Sequence, residues 1–152
     1  MANGDHVAAS EWLARFVRHR KDVRADGTIK PRHYEPEVNP GARLETSVQR
    51  TLHLTDEDLR DIAQRELGDR GYNCYGLTRC IASVPLNLGL QVIEDWPPES
   101  HAVLVDWPAE KEARQELAIV LAADSTFEPS PLIVRPDPAG GDAADSGDRP
   151  TA

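Results

Sequence analysis

The chain has 152 residues, enough for a single domain, but only 39% of them are apolar and 5% aromatic, so the core is modest. A net charge of −9 argues against a general duplex binder, which needs a broad positive surface. The longest uninterrupted apolar run, Leu117 to Ala123, is too short to span a bilayer, and Met1 to His6 has neither the basic nor the apolar region of a signal peptide.

Residues 8–24 fit two descriptions, because Trp12, Leu13, Phe16 and Val17 suit one face of a short helix after Ser10 as well as they suit a strand. Asp26-Gly27 favours the strand, being a strong hairpin signal that pairs residues up to Ala25 with Thr28 onward. The returning strand is then Ile29 to Tyr34, which carries Lys30, Arg32 and His33, with Pro31 implying an edge position. Residues 15–32 hold seven basic and two acidic side chains, a local +5 that suits phosphates or an acidic partner, or else is a solvated face offset by the acidic remainder. Glu35 to Arg43, with Pro36, Pro40 and Gly41, reads as a loop.

Leu44 to Leu54 alternates as a strand with Leu44, Val48, Leu52 and Leu54 on one face, and Arg50 falls on that apolar face. Thr55 caps a predicted helix over 56–67 whose first turn, Asp56-Glu57-Asp58, places acids at the positive end of the dipole. Its apolar stripe is Leu59, Ile62, Ala63 and Leu67, and Gly68 ends it. After a turn from Gly71 to Gly76, Leu77 to Ser83 reads as a strand with Leu77, Arg79 and Ile81 on one face. On one continuous strand Cys74 and Cys80 lie roughly 20 Å apart, beyond bridging distance, which predicts free thiols and suits a reducing cytoplasm.

Leu88 to Glu94 is the next predicted strand, and the loop through Trp96-Pro97-Pro98 returns the chain antiparallel as His101 to Val105. Pro108 marks a helix start, and Ala113, Leu117, Val120 and Leu121 form the stripe of a helix over 109–123. Pro129, Pro131, Pro136 and Pro138 then stop helix growth and leave Leu132-Ile133-Val134 to close on a sheet edge. Residues 137–152 lack large apolar side chains and read as a disordered acidic tail. The expected fold is α+β: a mostly antiparallel sheet of five to six strands with helices 56–67 and 109–123 packed on it, in one domain over 1–136.

The chemical clue is placement. Arg50 and Arg79 interrupt alternating apolar faces, and a guanidinium cannot deprotonate to escape burial, so each needs a carboxylate, a phosphate or a wet cleft. His101 heads the face of Val103 and Val105 in the same way. If these strands are neighbours, the three groups converge, with Lys30, Arg32 and His33 approaching from the hairpin and Trp107 at the cleft mouth. Such a set suits a phosphate-bearing small molecule, a nucleotide or a nucleic-acid end, and His101 becomes catalytic where a reacting group meets the imidazole. In the opposing interpretation the arginines reach water at strand ends and pair with Glu45, Asp95 or Glu94. Ser47 lacks a nucleophile elbow; no phosphate loop, dinucleotide fingerprint or metal-site spacing is present, so no cofactor or metal is expected.

Several short pieces together resemble a family of small bacterial proteins without an established activity: Arg15-Phe16-Val17, Ile29-Lys30-Pro31, Thr46-Ser47-Val48-Gln49-Arg50, His101-Ala102, and Trp107-Pro108 with Lys111. The resemblance covers roughly residues 12 to 124, implies a bacterial cytoplasmic setting and transfers no catalytic role; it adds weight to Lys30, Ser47, Arg50 and His101. Two functions compete. One is a phosphate-binding domain built on Arg50, Arg79, Lys30 and His101; the other is an interaction protein, antitoxin-like or an accessory subunit, that docks a protein partner through its basic hairpin and acidic second half.

Overall fold

A computed structural model describes residues 5–38, 41–95 and 100–129. Six strands form one open, wholly antiparallel sheet: β1 (Trp12–Phe16), β2 (Thr46–Arg50), β3 (Gly76–Ile81), β4 (Gln91–Glu94), β5 (His101–Val105) and β6 (Thr126–Pro129), in the order β4-β5-β2-β1-β3-β6. Helices α1 (Asp56–Glu66), α2 (Ser83–Asn87) and α3 (Lys111–Ala123) complete an α+β fold, as the periodicity implies. Residues 8–24 therefore resolve as strand β1 followed by a 3-10 turn, Arg20–Asp22. The expected tail and the Leu132–Val134 patch lie outside the described residues.

Directly opposed residues in a sheet share a face, so the registers sort the side chains. One face carries Leu13, Val48, Cys80, Ala102 and Leu104, packed under α3 through Ala118, Leu121 and Ala122 and beside Tyr34. The other carries Ala14, Phe16 and Leu77, which meet Leu59 of α1. Helix α1 begins where expected because Thr55 accepts from the Asp58 N–H while the Asp58 side chain accepts from the Thr55 N–H, a reciprocal capping box. It ends at Glu66, just before Gly68 as expected, and a separate 3-10 turn, Gly68–Arg70, follows and closes on Gly71 at φ 86°.

Four local expectations are corrected. The Asp26-Gly27 turn forms, with Gly27 at φ 87° and the Asp26 carboxylate accepting from the Thr28 N–H and hydroxyl, but the flanking strands shrink to one bridge, Val23 to Ile29. Residues 31–33 become a 3-10 turn with Pro31 at its start, where the fixed φ and missing N–H suit a turn better than a ladder. Strand β2 ends at Arg50, and Leu52 is exposed in a turn closed by the Leu54 N–H on the Thr51 carbonyl. The helix over 109–123 starts at Lys111, and its buried stripe is Ala118, Leu121 and Ala122, with Val120 exposed.

Candidate functional site

Arg50, Arg79 and His101 do not converge. Arg50 is opposite Leu13 and Arg79 is opposite Ala14, so consecutive residues of β1 send the two guanidinium groups to opposite faces. His101 is opposite Gln49 and shares the face of Arg79, but β2 and β1 stand between β5 and β3. The expected cleft needs the strands to be neighbours in register, and an odd offset between Arg50 and Arg79 breaks it.

Each group is also already partnered. Arg50 donates from Nε to Glu11 at 2.9 Å, from Nη2 to Glu11 at 2.7 Å, and from Nη1 to Glu94, tying the ends of β2 and β4 to the residue before β1. All three side chains are nearly closed to solvent, at 13%, 9% and 7% exposure for Arg50, Glu11 and Glu94. Its hydrogen bonds to Glu11, joined by those to Glu94 and outweighing burial, push the guanidinium pKa up further. With two carboxylates on one cation, the cluster repels rather than attracts a further anion. Arg79 donates to Glu128 at 2.6 Å and stands 3.6 Å from Asp56, so it ties β6 and the start of α1 to β3. The His101 Nδ1 lies 3.2 Å from both the carbonyl and the carboxylate of Asp95.

The remaining expected site residues separate likewise. His33 is buried, with its Nε2 3.0 Å from the Thr78 hydroxyl; the Tyr34 hydroxyl meets the same oxygen at 2.7 Å. Burial, reinforced by the Arg15 guanidinium, holds the His33 imidazole well below its usual pKa, and burial pushes Tyr34 up to about 12. Arg15 itself donates to the carbonyls of His33 and Ser47. Trp107 is buried in the core and donates its indole N–H to the Leu104 carbonyl, so it is no cleft-mouth lid. An apolar cavity lined by residues including Leu13, Tyr34, Cys80 and Leu121 measures about 10 Å³, room for about one water.

Lys30 and Arg32 lie in a different setting. Arg32 stands 3.0 Å from the buried Asp22 carboxylate, and Lys30 is half-buried with its N–H donating to the Asp22 carbonyl. Around them Arg18, Arg20, Lys21 and Arg24 are exposed, and no described carboxylate lies within ion-pair distance of these four or of Lys30. The two acids of the segment are engaged elsewhere, Asp22 by Arg32 and Asp26 by its own turn. Arg18 stacks 4.0 Å from the centroid of the Tyr72 ring, and Arg70 approaches the same ring at 5.5 Å. This cationic rim was legible as the +5 of residues 15–32; Arg70 and Tyr72 join it only through the fold.

Among the described residues no three His, Cys, Asp or Glu side chains are grouped to hold a metal ion, and no helix is long and apolar enough to cross a membrane. In comparisons with known proteins, no family model, no curated protein and no solved structure matches the chain.

Proposed function

We propose that this chain is a non-enzymatic interaction protein that docks an acidic protein partner on the rim formed by Arg18, Arg20, Lys21, Arg24 and Lys30. One observation carries this reading: the sheet cations Arg50 and Arg79 are held by carboxylates, whereas Arg18, Arg20, Lys21 and Arg24 are exposed and, among the described residues, no carboxylate lies within ion-pair distance of them or of the half-buried Lys30. Spread along residues 18–30 and absent from the lining of the core cavity, these charges suit an extended acidic surface better than one small anion. The net charge of −9 favours a protein partner over a nucleic-acid duplex, because the phosphate lattice would meet acidic surface beyond the rim.

Immobilised wild-type chain and an Arg18→Glu, Arg20→Glu, Lys21→Glu, Arg24→Glu variant serve as paired baits. The wild type captures a stoichiometric partner at low salt, and both the variant and high salt abolish capture. Equal capture by both baits overturns the reading. So does a rise in Tm with phosphate or a nucleotide that disappears in Arg50→Ala, which would restore the sheet face as a phosphate site.

A further inference from the structure

Strand β6 ends beside the segment that carries the rim. Its last residue, Pro129, is opposite Gly76 of β3, and the Gly76 carbonyl accepts the N–H of Val17, the residue before Arg18. Two strand spacings, roughly 10 Å, therefore separate Pro129 from the first rim cation. The 23 residues that follow Pro129 reach roughly 75 Å when extended, far more than the rim requires. Within them Asp137, Asp142, Asp145 and Asp148 stand against a single Arg149 over residues 137–152, the opposite sign to the rim. Tethering so close to the target gives such a segment a high effective concentration, so even weak ion pairing fills the site part of the time.

From this charge complementarity and point of departure, we propose that the acidic segment 137–152 occupies the cationic rim and competes with the partner for it. The proposal rests on the docking reading for its competitor but not for the contact itself. An acidic partner must then displace the segment, which lowers its apparent affinity by the fraction of time the rim is free.

The chain has three lysines, Lys21, Lys30 and Lys111, and the first two belong to the rim, so carbodiimide coupling of carboxylates to amines reports the contact in a simple peptide map. In dilute full-length protein at low salt we expect amide links within one chain from Asp142, Asp145 or Asp148 to Lys21 or Lys30, lost at high salt. A decaglutamate peptide, standing in for the partner, should bind the Asp137→Asn, Asp142→Asn, Asp145→Asn, Asp148→Asn variant roughly three- to tenfold more tightly than the wild type. Absence of these links, or links found only in dimers, together with equal decaglutamate affinity, overturns the tail contact and leaves docking intact. In-chain links with decaglutamate bound by neither protein overturn docking and leave the tail contact standing.

Discussion

Arg50 anchors three sheet elements by holding two buried carboxylates, and that arrangement sets a sharp asymmetry. Removing the guanidinium leaves Glu11 and Glu94 facing each other without a counter-charge, so Arg50→Ala should destabilise the fold by about 3 kcal/mol in urea unfolding. Adding Glu11→Gln and Glu94→Gln to that variant should restore part of the loss; no recovery would mean that the side chain acts through packing alone. His33 gives the second residue-scale test. Its folded pKa lies below its unfolded one, so between the two the unfolded state binds the extra proton and stability rises with pH. The His33 contribution is complete above the unfolded pKa near 6.5 and is lost as pH falls through it, by at most about 1.4 kcal/mol per pH unit. Wild-type stability should therefore fall more steeply from pH 7.5 to 5.5 than that of His33→Gln, and parallel curves would contradict a neutral buried imidazole.

Among the elements, helix α3 separates what pattern predicts from what packing decides. Val120 and Leu121 both fit the apolar stripe expected over 109–123, yet Val120 is 37% exposed and Leu121 only 1%. Leu121→Ala should cost about 3 kcal/mol, whereas Val120→Ala should change stability by less than about 0.5 kcal/mol, a contrast that chemical denaturation resolves. Helices α1 and α3 and the central strands of the antiparallel sheet were legible because apolar period and capping are local: Thr55 with Asp58, and the alternation of His101 to Val105, need no partner to be recognised. Helix α2 and strand β6 were missed, since Pro85 and Pro129 conceal one and shorten the other. The candidate site was legible only as charge. That Arg50 pairs with Glu11, 39 residues away, and that Arg79 sits on the opposite face both depend on strand register, which no local spacing in the chain encodes.

At the scale of the whole molecule, the two sheet edges are treated differently. The β4 edge is covered by the N-terminal segment, where the Val7 N–H donates to the Val92 carbonyl and the Glu94 N–H donates to the Asp5 carbonyl. Strand β6 pairs with β3 alone and, among the described residues, has no second neighbour, while its residues are mostly exposed. It is held by the ladder to β3, by the half-buried Phe127 ring against the core, and by the Glu128 carboxylate on Arg79, a half-exposed ion pair of small worth. Such an edge opens locally without the core, whose strands β1, β2 and β5 lie between paired neighbours and under buried side chains. Native-state hydrogen exchange should therefore rank the amides of Thr126 to Glu128 well below those of Leu13, Val48 and Leu104 in protection, and Arg79→Gln should lower the β6 values further while leaving the central strands unchanged. Protection of β6 equal to the centre would mean that the edge is covered in solution, and repeating the exchange on the Asp137→Asn, Asp142→Asn, Asp145→Asn, Asp148→Asn variant would tell whether the acidic segment covers it.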